Sequence, residues 1–427
     1  LFPTILFSQI LFSNGATVFI SNGGVMISNG GVTLTNGTAL TNNGDLHITK
    51  NSTVALPGTI TIGTATTVNG DGNYYVEQDW INNASFNADL SSVNLNGNTE
   101  QFISSTNGTI TEFHNLTLTG NGTGVNRRKT LSGVDAKIDL TGTITLNNRE
   151  CATQTNYLVV LNPASNAISN SQTFGSEGFV SSESPGYLNW TTNSTNSYYF
   201  PVGSSQGSVR YRPVILIPGS SNSNEFNVRM NNFIANNDGY YLDQHDAKIK
   251  EANVNFYHSI ERVNGIDDAS LAIAYLAIAD GDWFDIAHWS SGGNLWNSLD
   301  ATSVATTGNY AFVEKASLNF DPDIPYVLVN SPDEIVIPTA FTPDGDITNN
   351  DWEILEIDNA YPNNQVFVYN RWGNLLFTSE QGNYDVKRWD GTYQGNALPV
   401  GSYYFIIEFN DDNKGSATGT VSIILNK

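Results

Sequence analysis

The chain has 427 residues, and its 41 acidic against 18 basic residues give a net charge of -23. This balance argues against nucleic acid as a partner, since nucleic-acid binding needs a basic face, and it disfavours an anionic membrane surface. The length allows about two to four domains. The single cysteine, Cys151, excludes an internal disulfide.

The chain opens on an apolar stretch, LFPTILFSQ. It has the character of the end of a secretory signal peptide, so we expect residues 1–9 to be such a remnant. The alternative is an apolar strand that belongs to the mature protein. No run in the sequence reaches the ~20 apolar residues that a transmembrane helix needs.

A short repeat follows, in which Asn-Gly pairs recur every seven residues from Asn22-Gly23 to Asn43-Gly44. A coiled coil needs apolar residues three and four apart. Here they stand two apart, which is the strand period, and Asn-Gly is a turn signal.

Two β architectures fit the repeat: a β-solenoid with about three phrases per rung, or an antiparallel meander with Asn-Gly hairpins. We favour the solenoid, similar to a parallel β-helix, because long hairpin ribbons would leave flat edges that invite aggregation. The Asn-Gly pairs would then form its corners. The side chains predicted to point inward are Val18, Ile20, Val25, Ile27, Val32, Leu34, Leu46 and Ile48.

Pairs of apolar residues two apart continue less regularly beyond the repeat, so we predict the solenoid for residues 10–185. Its later apolar pairs are Val93 and Leu95, Leu116 and Leu118, Ile138 and Leu140, and Ile144 and Leu146. The one basic cluster, Arg127-Arg128-Lys129, is interpreted as a solvated loop. Cys151 is interpreted as a small buried side chain.

Residues 186–332 have longer alternating runs bounded by turn residues, which predict an antiparallel β-sandwich. ASLAIAYLAIAD (Ala269–Asp280) is assigned as a strand, although its alanine content also permits a helix. Trp283, Trp289 and Trp296 are interpreted as core anchors in preference to a sugar-binding platform.

The search for catalytic motifs predicts that the protein is not an enzyme. GSSQG (Gly203–Gly207) matches a nucleophile-elbow pattern but lies in a loop between two strand-like runs, without the required helix. The five histidines are scattered, and no H-E-x-x-H occurs.

An acidic cluster, DGDITNND, spans Asp344–Asp351. Alternating carboxylate and amide oxygens around a glycine are typical of a Ca²⁺ site, and a metal-free Asx turn is the alternative. The tentative calcium ligands are Asp344, Asp346, Asn349, Asn350 and Asp351.

The last segment predicts a compact, immunoglobulin-like β-sandwich over residues 333–427. Its motifs are FTPDGDITNNDW (Phe341–Trp352), NRWG (Asn370, Arg371, Trp372, Gly373), WDG (Trp389, Asp390, Gly391) and LPVGSYYF (Leu398–Phe405). In this order they resemble the gliding motility-associated C-terminal domain of Bacteroidetes surface proteins. The family's pattern F-T-P-N-G-D-G-x-N-D is altered here, since Asp344 and Ile347 replace its Asn and its second Gly.

The resemblance implies export by the type IX secretion system, with that machinery as a partner and an extracellular or outer-cell-surface location. We therefore expect a secreted structural protein or adhesin. Polar rungs would form a stalk, and open solenoid ends would allow a homo-oligomer or filament. The alternative is an extracellular protein that binds or cleaves carbohydrate, with a glycan as its partner.

Overall fold

The computed structural model describes residues 10–246, 248–307, 309–320, 325–330, 335, 337–345, 349–354, 357–411 and 414–424. Residues 1–9, interpreted above as a signal-peptide remnant, and Asp346 of the acidic cluster lie outside the described residues. The chain divides into two compact units. The first unit comprises Leu1–His245 and Ala252–Val329, and the second comprises Asp246–Glu251 and Asn330–Lys427.

The first unit begins with a long series of short strands. They are β1 (Leu11–Asn14), β2 (Thr17–Ile20), β3 (Val25–Asn29), β4 (Val32–Thr35), β5 (Ala39–Asn42), β6 (Asp45–Thr49), β7 (Ile60–Ile62), β8 (Thr67–Asn69), β9 (Asn73–Val76), β10 (Trp80–Asn82), β11 (Ser85–Phe86), β12 (Ser92–Leu95), β13 (Gln101–Ser104), β14 (Thr111–Leu118), β15 (Arg128–Ser132), β16 (Ala136–Thr145), β17 (Glu150–Gln154), β18 (Tyr157–Val160), β19 (Ile168–Ser169), β20 (Phe179–Ser182) and β21 (Tyr187–Thr192).

These strands form three parallel stacks. In chain order, β1 to β12 join the first, second and third stack in rotation. The orders are β1-β4-β7-β10-β13-β15-β17-β20, β2-β5-β8-β11 and β3-β6-β9-β12-β14-β16-β18-β21. Leu11 pairs with Val32 and Thr17 with Ala39, both in parallel. The antiparallel meander is therefore wrong for these strands, and the chain returns to a stack after about three seven-residue phrases.

The interior of the stacks is mainly apolar, as the repeat predicts for most positions. Val32, Leu34, Leu46 and Ile48 have no exposed surface, and Ile20 is buried. Val18 is partly buried and packs against the same hydrophobic cluster.

The prediction is wrong for Val25 and Ile27, whose side chains are 62% and 68% exposed. Val25 pairs with Asp45, one residue short of the expected Leu46. Because strand side chains alternate, a one-residue slip moves the whole strand's side chains to the opposite face. Met26 therefore occupies the inward face in place of Val25.

Leu140 also differs from expectation and is 68% exposed, whereas the other seven residues of the later apolar pairs are buried. The pairing of β14 with β16 shifts register between Phe113 and Asn115. This bulge places extra residues of β16 between Ile138 and Thr143, and Leu140 is one of them.

The corners fall at the Asn-Gly pairs, between successive strands. Asn36 and Gly37 connect β4 to β5 with positive φ angles of 51° and 80°, a conformation that Asn and Gly adopt most readily. At Gly44 a Cβ atom would lie 2.1 Å from the carbonyl oxygen of Gly24 in the adjacent coil. Only glycine allows the two coils to approach this closely.

The remaining strands of the first unit are mostly antiparallel. They are β22 (Tyr198–Phe200), β23 (Gly203–Ser204), β24 (Arg210–Tyr211), β25 (Val214–Pro218), β26 (Asn224–Asn231), β27 (Glu251–Ala252), β28 (Tyr257–Asn264), β29 (Ala269–Tyr275), β30 (Asp285–Ser290), β31 (Leu295–Ser298), β32 (Thr302–Thr307), β33 (Tyr310–Leu318) and β34 (Pro325–Asn330). Short helical turns occupy Gly124–Arg127, Ala235–Asp238 and Ala277–Asp280 (α1).

The third parallel stack continues directly into antiparallel strands in the order β21-β26-β28-β34-β30-β31. A second antiparallel sheet has the order β22-β25-β29-β33-β32. Phe226 of the first sheet and Leu271 of the second belong to the same hydrophobic cluster as the stack interior. The strand assignment is confirmed for Ala269–Tyr275, while the end of that segment forms α1.

The second unit is built on a five-stranded sheet in the order β35-β41-β40-β36-β37. Its elements are β35 (Ala340–Phe341), α2 (Ile357–Ala360), β36 (Gln365–Tyr369), β37 (Leu375–Thr378), β38 (Thr392–Tyr393), β39 (Asn396–Ala397), β40 (Gly401–Asp411) and β41 (Lys414–Ile423). Trp352, Tyr384 and Trp389 are fully buried in its separate core.

Candidate functional site

The NRWG motif forms a tight turn that presents Trp372 to solvent. The Asn370 side-chain oxygen accepts hydrogen bonds from the backbone N–H of Trp372 at 2.9 Å and of Asn374 at 3.0 Å. Gly373 closes the turn with a φ of 80°. Trp372 is consequently 77% exposed, and the Arg371 guanidinium carbon lies 5.4 Å from its ring centre.

An open groove runs beside this turn. It is lined on one side by Arg371, Trp372 and Leu376, and on the other by Pro399, Val400 and Tyr403. Val400 is 57% exposed, so the groove has an apolar rim next to one cation. The NRWG pattern indicated the turn, but nothing in the sequence indicated that the LPVG segment would lie across from it.

The WDG motif, in contrast, is part of the core. Trp389 is buried with its ring centre 5.3 Å from that of Phe341 and 5.4 Å from that of Tyr403. The Asp390 carboxylate accepts hydrogen bonds from the N–H and the hydroxyl of Thr392, at 2.9 and 2.7 Å. Gly391 adopts a positive φ of 76°. This motif therefore fixes a corner of the fold, and NRWG provides the exposed surface.

The acidic cluster is only partly described. Asn350 accepts a hydrogen bond from the Gly345 N–H at 2.7 Å, and the Asp351 carboxylate lies 3.8 Å from the Arg388 guanidinium. The Asn349 backbone oxygen accepts a hydrogen bond from Thr342, while Asp344 is exposed. In the described part of the chain, no three His, Cys, Asp or Glu side chains come together as a metal site would require. Calcium binding at this cluster stays a prediction.

Comparison with known families decides what this unit is. Residues 335–423 match the family model described as the CHU_C type IX secretion signal domain. The carboxyl-terminal segment is a type IX secretion signal domain. This agrees with the resemblance drawn from its four motifs, and it identifies the chain as an export substrate with a surface or extracellular destination.

The match does not extend to the residues before 335. Neither curated proteins nor solved structures gave a match to the chain. Among the described residues, no helix has the length and apolar character that crossing a membrane requires.

The basic cluster of the first unit is not a solvated loop. Lys129 lies on β15 with its side chain inside the stack, between Gln101 and Cys151 of the neighbouring strands. Its Nζ donates to the Gly97 carbonyl oxygen at 2.9 Å and to the side-chain oxygen of Gln101. Burial, reinforced by Arg149 and Lys50, lowers the pKa of Lys129 to about 7. The sequence signal for the burial of Lys129 was its position two residues before Leu131, which faces inward on the same strand.

Cys151 and the three tryptophans are structural, as predicted. Burial raises the pKa of the Cys151 thiol to about 12, which disfavours the reactive thiolate. Trp283, Trp289 and Trp296 are at most 7% exposed, so no sugar-binding platform is available to them. GSSQG begins on β23, and the next described element is the strand β24, so the strand–turn–helix of a nucleophile elbow is absent there.

Sequence reasoning missed one buried ion pair in this unit. Two guanidinium nitrogens of Arg212 contact the two carboxylate oxygens of Asp280, the longer contact being 2.8 Å. Arg212 is 3% and Asp280 6% exposed. Their wide separation in sequence gave no signal, because an ion pair between a loop residue and the end of α1 depends on tertiary contacts.

Proposed function

We propose that the protein is a structural or adhesive component of the outer cell surface, and that its parallel stacks are a β-solenoid stalk carried outside by the terminal domain. The observation that supports this most is the triple parallel stacking, in which the first strands enter the three stacks in turn. The interior is mainly apolar, whereas outward positions such as Thr33, Thr61 and Asn94 are small and uncharged. Such an architecture extends by adding coils, since each coil contacts mainly its neighbours.

The stalk proposal is tested by electron microscopy of the purified protein. We expect elongated particles with one dimension set by the stacked strands. Compact, round particles would contradict a stalk.

We further propose that the chain associates through the first coil. β1, β2 and β3 each stand at the end of their stack. The outward side chains of this coil include Phe12 and Phe19, which are 62% and 63% exposed. An uncovered strand edge pairs readily with another β layer, provided either by the residues before 10 or by a second copy.

Light scattering over a range of protein concentrations tests this association. Mass should grow with concentration when a second copy covers the edge. A constant monomer mass, with the β1 amides exchanging rapidly with solvent, would contradict the proposal. A measured glycan-cleaving activity would contradict the non-enzymatic role.

For the export step, we propose that Trp372 and its groove form the surface that the secretion machinery contacts. An exposed tryptophan beside an arginine, on a turn held by Asn370, is the kind of residue that dominates protein interfaces. Trp372→Ala should lower the surface-exposed fraction of the protein in cells while leaving the domain folded. Tyr393→Ala removes another exposed aromatic residue from the same unit and serves as the control. Equal export of both variants would contradict this assignment.

A further inference from the structure

A hollow in the first unit is lined by cationic and aromatic side chains. We call it the arginine–aromatic hollow. Its volume is about 400 Å³, within the range of pockets that hold small ligands. The residues that carry the argument are Arg127, Phe174, Glu177, Arg210, Tyr211 and Tyr310.

The hollow carries more positive than negative charge. Arg212, also in its wall, is neutralised by Asp280. Arg210 donates to the uncharged amide oxygens of Asn232 at 2.7 Å and Asn255 at 3.4 Å. Two cations, Arg127 and Arg210, therefore face one carboxylate, Glu177.

The Arg127 guanidinium does not use all of its hydrogen-bond donors among the described residues. Its Nη2 donates to the backbone oxygen of Glu177 at 2.5 Å, and its buried Nε has no hydrogen-bond partner among the described residues. A buried donor without a partner is costly. The half-buried guanidinium lies in the wall of the hollow, and guanidinium and carboxylate groups form strong charge-assisted hydrogen bonds.

Aromatic rings form the rest of the wall. Tyr310 packs edge-on against Tyr211, with ring centres 5.6 Å apart, and its hydroxyl donates to Glu177 at 2.9 Å. Phe174 lies 6.3 Å from Tyr310 by ring centres and is 51% exposed at the rim. These rings offer an apolar surface next to the arginines. The C–H face of a pyranose ring fits such a surface, and its hydroxyls remain in water.

We propose that the arginine–aromatic hollow binds a uronic acid residue of an acidic polysaccharide. The carboxylate would interact with Arg127 and Arg210, and the sugar ring would pack on Phe174 and Tyr310. The inference deepens the proposed adhesive function. It rests on that function only in assuming where the glycan comes from.

Calorimetric titration of the purified full chain tests the proposal. The probes are oligomers of galacturonate, glucuronate and mannuronate, a neutral galactose oligomer, and acetate. At least one uronate oligomer should bind, with an affinity that falls as salt is added. The neutral oligomer and acetate should each bind at least about tenfold more weakly, since each lacks one of the two contacts.

Variants locate the site. Arg127→Gln and Arg210→Gln should each weaken uronate binding by about tenfold, the usual effect of losing a charge-assisted hydrogen bond. Phe174→Ala, at a half-exposed rim position, should weaken it severalfold without affecting folding. Arg371→Gln makes the same charge change in the other unit and should leave binding unchanged.

Three results would overturn the proposal: no binding of any uronate oligomer, equal binding of the neutral oligomer or acetate, or equal losses in Arg371→Gln and Arg127→Gln. If an arginine variant does not fold, Phe174→Ala decides the location. Because binding is measured on purified protein, its failure is distinguishable from failure of the stalk or surface proposals.

Discussion

Leu34 and Ile27 give the sharpest test of the inward register of the stacks. They occupy equivalent positions in successive phrases, yet Leu34 has no exposed surface and Ile27 is 68% exposed. Leu34 lies on β4 between Ser13 of β1 and Ile62 of β7, whereas Ile27 stands beside His47 on β6. The same substitution at the two positions should therefore have very different effects.

Leu34→Asp removes a fully buried leucine, which contributes about 1.5–3 kcal/mol to the free energy of unfolding. The new carboxyl group, even when protonated, adds a burial cost of about 1–3 kcal/mol. We expect a total loss of about 2.5–6 kcal/mol, a large part of the ~5–15 kcal/mol typical of a domain. Ile27→Asp should cost less than about 1 kcal/mol, because roughly two thirds of the side chain is already in water.

Urea unfolding combined with hydrogen exchange would measure both effects. In Leu34→Asp, the amides of β1, β4 and β7 should lose protection, because these strands stack directly on one another. Ile27→Asp should keep the wild-type exchange pattern. Equal destabilisation by both substitutions, or a larger effect at Ile27, would refute the register and with it the description of the stack interior.

Two further predictions concern ionisable groups. The pKa of Lys129 is lowered to about 7 in the folded protein, so between pH 7 and about 10.4 the unfolded chain binds more protons. The free energy of unfolding should rise with pH in this window, by at most about 1.4 kcal/mol per pH unit from this group, and Lys129→Met should remove that contribution; identical pH slopes for the two proteins would contradict it. Calcium, if it binds at the Asp344–Asp351 cluster, should raise the melting temperature of the protein relative to chelator, and Asp344→Asn should reduce the rise; unchanged melting in excess calcium would leave only the Asx-turn interpretation.

The sequence predicted the positions of the corners better than the direction of the side chains. Asn-Gly pairs mark the turns through local backbone preferences that do not depend on the rest of the fold. The inward or outward direction depends on the number of residues between corners, and the coil from β3 to β6 is one residue short of three phrases. The prediction therefore succeeded for Val32 and Leu34 and failed for Val25 and Ile27.

Long-range contacts were less accessible to sequence reasoning. The turn at NRWG was predictable because this is a local motif, whereas the exposure of Trp372 was not predicted. The arginine–aromatic hollow was not, because Arg127, Arg210 and Tyr310 come from a short helical turn and two strands that are far apart in the chain. Arg127 and Lys129, two residues apart, also lie in different environments. A basic run in sequence carries no information about which of its members is buried.

The terminal domain should carry the preceding β protein to the cell surface in a folded state. The most direct measurement compares cells of a bacterium with a type IX system that produce either the full chain or a chain lacking residues 333–427. External protease and surface labelling would report location, and protease resistance of the periplasmic fraction would report folding. We expect the full chain to reach the surface and the truncated chain to stay in the periplasm, still folded. Normal surface display of the truncated chain would contradict it.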